Sequence, residues 1–321
     1  MTSIGIVGGS GYVAGELIRI LVHHPTIEID FIYSHSRSGE QVYHTHQDLF
    51  NYKEFVFTDT VNLQVSVVFL CLGHGHSKQF LSKHSFSTQT KIIDLSNDFR
   101  LKKDAVFNQK QFIYGLTALN KNKIKNAQYI ANPGCFATAI QLALLPLADK
   151  QELKNDVHIH ALTGSTGAGR SLSDTTHFSW RDSNISIYKA FRHQHLDEIR
   201  ESLQSLQKGF DQNIDFLPLR GNFTRGIFAS VYTKTNLSEE TLVELYDDYY
   251  KNEPFTVVSH EPIHLKQVVN TNFNLLQVQK IDDKVLITSI IDNLQKGAAG
   301  QAIENMNLMM GWEVSEKQRF S

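Results

Sequence analysis

The first 33 residues read as a strand, a glycine-containing turn, a helix and a second strand. The apolar run SIGIVGG precedes YVAGELIRILVHH, whose apolar residues recur at helical spacing, and TIEIDFIYS follows as the second strand. Parallel strands cannot be joined by a short hairpin turn and need a longer crossover connection, which is usually a helix. The order therefore predicts a βαβ unit at the start of a parallel sheet that is covered by helices.

Later runs predict two lobes in this chain of 321 residues. The parallel sheet continues through SVVFLCLG, TKIIDLS and AQYIANPG, with helical segments such as HSKQFLSKH between them. The runs DVHIHALTG, GIFASVYTKT, TNFNLLQVQK and KVLITSIID then alternate and follow one another closely, as in a mostly antiparallel sheet. Two helices are expected among them, at LDEIRESLQSLQ and SEETLVELYDDYY. We expect residues 1–133 and 294–321 to form the first lobe and residues 134–293 the second, because the last helical segment has no strand after it.

Charge and cysteine content narrow the class of partner. Lys and Arg number 31 and Asp and Glu 33, for a formal net charge of −2, so neither nucleic acid nor a membrane surface is an expected partner. The chain shows no secretory signal and no apolar run of the roughly 20 residues that a spanning helix needs. With only two cysteines and no metal-ligand grouping, we expect a cytoplasmic protein that holds no metal and acts on a small molecule.

Three small residues stand at the first strand-to-helix junction in a G-x-x-G-x-x-A arrangement: Gly8, Gly11 and Ala14. Gly8 permits a tight turn, Gly11 lets the backbone approach a diphosphate, and the helix N-terminus presents N–H groups with a partial positive charge. A turn that merely needs positive φ is the alternative, but the position at the first βα junction favours a dinucleotide site. The expected cofactor contacts in this turn are Gly8, Ser10, Gly11, Tyr12 and Val13.

The residues after the second strand indicate which dinucleotide is bound. NAD calls for an acidic residue there, whereas the chain carries Ser36 and Arg37, and Asp30 lies too early, within the strand. An arginine among hydroxyls suits a 2′-phosphate, so we expect NADP(H); the alternative is that Arg37 is a solvated loop charge. His74 follows the third strand at the edge of the sheet and is either a cofactor contact or a loop residue.

One of the two cysteines has an unusual setting, in NPGCFAT. Cys71 lies within SVVFLCL, where it reads as a small apolar residue of a buried strand. For Cys135, Asn132 is the expected N-cap and Pro133 the first helical residue, which places the cysteine third in an apolar helix. The positive end of a helix dipole favours the thiolate, the nucleophilic form. A buried structural cysteine is the alternative, but thiolate chemistry beside a nicotinamide suggests a thioester reduced by hydride.

Two further stretches supply groups that such chemistry needs. In RHQHLDEI, His193 and His195 flank a glutamine, and Glu198 comes three residues after the second histidine, on the same side of a helix. A polar helix entry with capping residues is the alternative. In TGSTGAGRS, backbone N–H groups around Gly167 together with Arg170 form a plausible phosphate nest, although glycine-rich turns are common.

Taken together, GGSGYVAGEL, LGHGHS, NPGCFAT, TGSTGAGR, RHQHLDEI, TRGI and DNLQKGAAGQA resemble the N-acetyl-gamma-glutamyl-phosphate reductases of arginine biosynthesis, in order from residue 4 to about 311. The resemblance implies a cytoplasmic, NADP-dependent homodimer or homotetramer with a Rossmann-type domain and a glyceraldehyde-phosphate-dehydrogenase-like α+β domain. It implies reduction of an N-acylated glutamyl 5-phosphate to the 5-semialdehyde with release of inorganic phosphate. By position, Cys135 is then the nucleophile, and His193 and His195 are the paired histidines, whose separate roles stay open.

The chain departs from the family pattern shortly before the TRGI motif. The family's Pro-His is here Pro218-Leu219, followed by Arg220. A new cation could receive a second carboxylate, so N-succinyl and N-acetyl substrates both stay open. An enzyme of the aspartate-semialdehyde dehydrogenase type and an NADP-binding redox-sensing regulator are the alternatives. The expected substrate contacts are Arg100, Asn132, Arg170, Glu198 and Arg220.

Overall fold

A computed structural model describes residues 1–312, in which the chain divides into two units. Among the described residues, the first unit comprises Met1–Pro133 and residues 298–312, and the second comprises Gly134–Gly297. Residues 313–321, which we expected in the first lobe, lie outside the described residues. No helix within residues 1–312 is both long enough and apolar enough to cross a membrane.

The first unit contains an eight-stranded sheet in the order β3-β2-β1-β4-β5-β8-β7-β6. Its strands are β1 (Thr2–Val7), β2 (Ile27–Tyr33), β3 (Phe57–Thr58), β4 (Val67–Leu70), β5 (Lys91–Asp94), β6 (Val106–Phe107), β7 (Lys110–Tyr114) and β8 (Tyr129–Ala131). Neighbouring strands run parallel, except that β6 and β7 are antiparallel. The helices that follow β1, β4 and β7 are α1 (Tyr12–Leu21), α2 (His76–Lys83) and α3 (Thr117–Lys125). The predicted Rossmann-type parallel sheet is confirmed.

The second unit contains a seven-stranded, mostly antiparallel sheet in the order β10-β11-β9-β12-β15-β14-β13, as predicted. Its strands are β9 (Val157–Thr163), β10 (Ser186–Ile187), β11 (Ile214–Arg220), β12 (Ile227–Lys234), β13 (Thr256–Ser259), β14 (Asn274–Ile281) and β15 (Lys284–Ile291). Its helices are α4 (Cys135–Asp149), α5 (Phe178–Arg181), α6 (His195–Leu206) and α7 (Glu239–Tyr250). The expected helices α6 and α7 are both present.

Burial alternates along the strands of this second sheet, so that one face is buried and the other is partly exposed. Helix α4 packs on α6 and across β12 and β15, while α7 packs against β13 and β14. The apolar α4, buried from Phe136 to Ala148, is the core of the unit. Its N-terminal residue is Cys135, which the packing of α4 therefore holds in a fixed position.

The chain returns to the first unit through a short π-helical segment, Gln295–Ala299, and a last helix, α8 (Gly300–Met310). In α8, Asn305 donates its side-chain N–H to the Gly115 carbonyl at 2.9 Å. Residues 294–297, which we expected in the first lobe, group instead with the second unit. The reason is local: the backbone N–H groups of Leu294 and Gln295 both donate to the Asp292 carboxylate, at 2.8 and 3.2 Å.

Candidate active site

Cys135 is the first residue of α4, and the N-cap is Gly134, with φ −72° and ψ 151°. The expected frame, with Asn132 as the N-cap and the cysteine third in the helix, is therefore wrong by two residues. Asn132 remains bonded to the sheet, since its N–H donates to the Asp94 carbonyl at 2.7 Å. Its side-chain amide donates to the Ala298 carbonyl at 3.1 Å and so does not cap the helix. Cys135 still lies in the first turn, where the helix dipole favours a thiolate.

The carboxylate of Glu198 binds the backbone at the start of this helix. It is 3 % exposed, and one oxygen accepts a hydrogen bond from the Gly134 N–H at 3.0 Å. Its other oxygen lies 3.9 Å from Nε2 of His195, one turn earlier on α6. A Cβ on Gly134 would stand 2.3 Å from the same Nε2, so the imidazole lies directly against the residue that precedes Cys135. The turn at Cys135 therefore contacts both the His195 imidazole and the Glu198 carboxylate. The spacing of RHQHLDEI predicted that His195 and Glu198 lie on the same side of a helix.

His193 has a different environment from His195. Its Nδ1 accepts a hydrogen bond from the His195 backbone N–H at 3.3 Å, and this leaves Nε2 to carry the proton of the neutral ring. Three aromatic rings surround it, with centroid distances of 5.4 Å to Phe136, 5.4 Å to Phe216 and 5.8 Å to Tyr188. Burial, followed by the neighbouring charges of His195 and Lys189, lowers the pKa of His193 to about 3. His193 is therefore neutral at physiological pH.

The segment after β15 also lies against Cys135. A Cβ on Gly297 would lie 2.8 Å from the Cβ of Cys135, so only glycine fits there. The segment is organised by the fully buried Asp292, whose carboxylate also accepts from Arg225 Nε at 2.9 Å and from the Asn270 N–H at 2.7 Å. Arg225 and Asp292 fall inside TRGI and DNLQKGAAGQA, yet their pairing spans 67 residues and no local pattern indicates it.

Two arginines and a tyrosine lie at the ends of strands β9 and β11. The Arg220 guanidinium lies 4.0 Å from the centroid of the Tyr188 ring. Burial and then the charge of Cys135 raise the pKa of Tyr188, so its hydroxyl is protonated at neutral pH. Arg181, which no sequence motif indicates, is buried, and its Nη2 donates to the Thr163 carbonyl at 3.1 Å.

The second glycine-rich stretch forms a tight turn on the second unit. The Gly167 N–H donates to the Gly164 carbonyl at 3.2 Å, and Gly169 has φ +76°. The Thr166 hydroxyl donates to the Thr224 carbonyl at 2.8 Å, which ties the turn to the loop before β12. Gly167 and Arg170 are both exposed, so they are accessible to a ligand.

The glycine turn after β1 has the shape that a dinucleotide requires. Gly8 has φ +82°, and a Cβ there would stand 2.5 Å from the Cys71 carbonyl oxygen. A Cβ on Gly9 would stand 2.4 Å from the Ile32 side chain, while Gly11 is open and acts as the N-cap of α1. Of the predicted contacts, Gly8, Ser10 and Gly11 therefore lie in one turn of small residues, and Tyr12 and Val13 begin α1. A turn of small residues that leads into a helix N-terminus fits a diphosphate.

The other predicted residues of the first unit lie at its loops. Arg37, beside Ser36 on a 3₁₀ turn after β2, forms an exposed ion pair with Glu40 at 2.8 Å. His74 accepts a hydrogen bond from the Asn97 N–H at 3.2 Å. The buried Arg100 donates from Nε to the Asn132 carbonyl at 2.8 Å, so these two predicted substrate contacts are bonded to each other.

Fold and site define a protein of the semialdehyde-dehydrogenase class. Residues 3–127 match the family model described as semialdehyde dehydrogenase, NAD binding domain, and residues 135–293 match the one described as semialdehyde dehydrogenase, dimerisation domain. A solved structure of aspartate semialdehyde dehydrogenase II from Vibrio cholerae, complexed with ASA, superposes with a TM-score of 0.74 at 15 % identity, covering 97 % of this chain and 98 % of that one. The NADP-bound enzyme from Candida albicans gives 0.68 at 15 % identity, covering 97 % and 98 %. At these identities the likeness shows the fold alone.

Two curated relatives narrow the class to one family. The chain is 60 % identical to the N-acetyl-gamma-glutamyl-phosphate reductase of Flavobacterium johnsoniae, over 98 % of this chain and 96 % of that protein. It is 56 % identical to the reductase of the same name from Christiangramia forsetii, with the same coverage. The chain belongs to the N-acetyl-gamma-glutamyl-phosphate reductase family, as its motifs predicted.

Proposed function

We propose that this chain reduces an N-acyl-glutamyl 5-phosphate, the acyl group being acetyl or succinyl, to the 5-semialdehyde, with release of inorganic phosphate and consumption of NADPH, in arginine biosynthesis. The observation that carries the proposal is the placement of Cys135 at the first turn of α4 with His195 against the preceding residue. The 60 % identity to a named reductase supports this function over that of an aspartate-semialdehyde dehydrogenase, whose structures are 15 % identical.

The proposed reaction starts at the sulfur of Cys135. The thiolate attacks the acyl carbon, the bond from that carbon to the phosphate oxygen breaks, and a thioester on Cys135 results. The N–H groups at the start of α4 stabilise the negative oxygen that forms during attack. A bound NADPH supplies the hydride that reduces the thioester. His195 donates a proton to the oxygen during reduction and takes it back as the carbon–sulfur bond breaks, which frees the aldehyde and the thiolate.

Each histidine has a separate part in this proposal. His193 is neutral and enclosed by aromatic rings, so it cannot serve as an acid near neutral pH. His195 lies between Glu198 and the residue that precedes Cys135. A carboxylate beside an imidazole stabilises the imidazolium that proton transfer produces. We therefore assign the acid/base role to His195 and a positioning role to His193.

NADP is proposed over NAD on the residues that follow β2. No acidic residue lies between Tyr33 and Gly39, whereas Ser36 and Arg37 offer a hydroxyl and a guanidinium to a 2′-phosphate. The glycine turn and helix start from Gly8 to Val13 would hold the diphosphate. His74 and Gly167 are the remaining proposed cofactor contacts. We place the enzyme in the cytoplasm.

A homodimer or homotetramer is proposed because the second unit matches a dimerisation domain. The sheet of that unit offers a surface for such contact, since Leu162 of β9 and its pairing partner Phe228 of β12 lie on the half-exposed face. The remaining partners are the small-molecule acyl phosphate and inorganic phosphate.

The test is NADPH oxidation with acetyl-glutamyl, succinyl-glutamyl and aspartyl phosphate as substrates, using the wild-type chain and Cys135→Ser. We expect turnover of at least one acyl-glutamyl phosphate, and a loss of more than about a thousandfold in Cys135→Ser with NADPH binding unchanged. Binding of NADPH is measured separately by nucleotide fluorescence. Preference for aspartyl phosphate, or substantial activity without the sulfur, contradicts the proposal.

A further inference from the structure

Arg181 and Arg220 converge on the same strand ends of the second unit. Arg181 is the last residue of α5, and its Nη2 donates to the Thr163 carbonyl at 3.1 Å. In the sheet Thr163 pairs with Arg220, and the same carbonyl accepts the Gly221 N–H at 3.0 Å. The side chain of Arg181 therefore reaches the backbone of β9 at the position where Arg220 ends β11.

Neither arginine has an acidic partner within residues 1–312. Arg181 is only 8 % exposed, and its buried Nε has no hydrogen-bond acceptor among the described residues. Burial and then the charge of Arg220 lower the pKa of Arg181, so the two cations repel each other. Two uncompensated guanidiniums in a partly desolvated place cost stability, and an anion held by both removes that cost. A planar guanidinium pairs with a carboxylate through two parallel hydrogen bonds.

Tyr188 connects this arginine pair to the reacting sulfur. Its ring carries the Arg220 guanidinium on one face, at 4.0 Å from the centroid. The ring also meets His193 edge to face, at 5.8 Å. The His193 ring in turn meets the ring of Phe136, the residue after Cys135, at 5.4 Å. Ring contacts therefore connect Arg220 to the residue that follows Cys135, which places the arginine pair beside the proposed catalytic groups.

We propose that Arg181 and Arg220 together bind a carboxylate of the substrate, one that takes no part in the reduction. This inference rests on the function proposed above. Two carboxylates share this chemistry: the α-carboxylate of the glutamyl group and the distal carboxylate of a dicarboxylic N-acyl group. The phosphate is a third anion, but the glycine-rich turn before Arg170 offers it a separate nest of exposed backbone.

The experiment runs the reaction from the semialdehyde side, with NADP⁺ and inorganic phosphate, so that the KM values for aldehyde and phosphate are measured independently. The aldehydes are N-acetylglutamate 5-semialdehyde, N-succinylglutamate 5-semialdehyde and 4-acetamidobutanal, which lacks the α-carboxylate. The variants are Arg181→Gln, Arg181→Lys and Arg220→Gln. Arg192→Gln is the matched control, because it removes one exposed positive charge from the same segment. A thermal melt of each variant reports on folding, and the half-exposed Arg220 provides a variant that leaves the buried Thr163 contact intact.

Loss of a charge-assisted hydrogen bond raises KM about 10- to 100-fold while kcat changes little, because the lost contact is present in both ground and transition states. An α-carboxylate ligand raises KM equally for the acetyl and succinyl aldehydes and leaves 4-acetamidobutanal unaffected. A distal acyl carboxylate raises KM for the succinyl aldehyde alone. Arg181→Lys recovers part of the loss in either case, since it keeps the charge without the planar fork.

Aldehyde KM values that do not change, or a rise confined to the phosphate KM, overturn the inference. A wild-type chain that converts neither acylglutamate semialdehyde overturns the proposed function itself, and that result is visible before any variant is made.

Discussion

The Glu198 carboxylate accepts the Gly134 N–H at 3.0 Å and so fixes the backbone that presents Cys135. Through its second oxygen, 3.9 Å from His195 Nε2, the same side chain also faces the imidazole. One buried group therefore has two separable tasks, to hold the turn and to supply a negative charge. Glu198 was expected from sequence to contact substrate, and we propose from these contacts that it acts as a positioning residue.

We expect Glu198→Gln and Glu198→Ala to separate these two tasks. The glutamine keeps an oxygen acceptor for the Gly134 N–H, so stability is retained while kcat falls about tenfold through loss of the charge beside His195. The alanine also leaves a buried N–H without a partner, at a cost of about 1–3 kcal/mol, and lowers the melting temperature. Melting curves and kcat on the same samples check both effects. Equal stability of the two variants contradicts the capping role.

His193 predicts a stability change at acid pH. Its pKa in the folded protein, about 3, is below the ordinary 6.5, so between these values the unfolded chain binds the additional proton. The contribution of His193 is therefore fully present above pH 6.5 and is lost as the pH falls toward 3.

In His193→Asn, whose side-chain oxygen can still accept the His195 N–H, this part of the pH dependence disappears. Denaturant unfolding of both proteins at a series of pH values between 7 and about 4 measures the difference. Parallel stability curves for the two proteins contradict the assignment of a neutral, buried His193.

Sequence patterns identified the residues of this site, but they did not give the exact helix boundary or the contacts around those residues. NPGCFAT marked the helix start, but the backbone bond of Asn132 to Asp94 moved the first helical residue to Cys135, and that bond spans 38 residues of sequence. Strand β11 was not predicted because Pro218 lies inside it, where a proline argues against a central strand. Tertiary pairing outweighs that local signal.

The sequence indicates only one member of the arginine pair, Arg220. Arg220 was noticed because it follows a departure from the family motif, whereas Arg181 stands in HFSWRDSN without any motif. The role that we propose for Arg181 is argued from its burial and from its Thr163 contact, which depend on three-dimensional structure. Arg37 was identified from its place after β2, but its ion pair with Glu40 was not foreseen, since an i,i+3 pair in a loop has no pattern.

That ion pair predicts how cofactor affinity responds to Glu40. If Arg37 binds the 2′-phosphate, Glu40 competes for the same guanidinium, so Glu40→Gln lowers the KM for NADPH by up to about fivefold and leaves the KM for NADH unchanged. Arg37→Ala raises the ratio of the NADPH KM to the NADH KM. Steady-state kinetics with both nucleotides check the pair of variants, and a fall in both KM values in Glu40→Gln contradicts competition at the phosphate.

Gly134 gives the most direct test of the contact between the helix start and His195. Its φ of −72° is accessible to alanine, so the substitution causes no backbone strain, but the added Cβ meets His195 Nε2 at 2.3 Å and displaces the ring. We expect kcat to fall about 10- to 100-fold in Gly134→Ala, because acid/base catalysis depends on the position of that imidazole. The double variant Gly134→Ala/His195→Gln then loses little beyond His195→Gln alone, since both changes act through one side chain. Additive losses in this cycle, measured as kcat in each of the four proteins, show that Gly134→Ala acts on Cys135 instead.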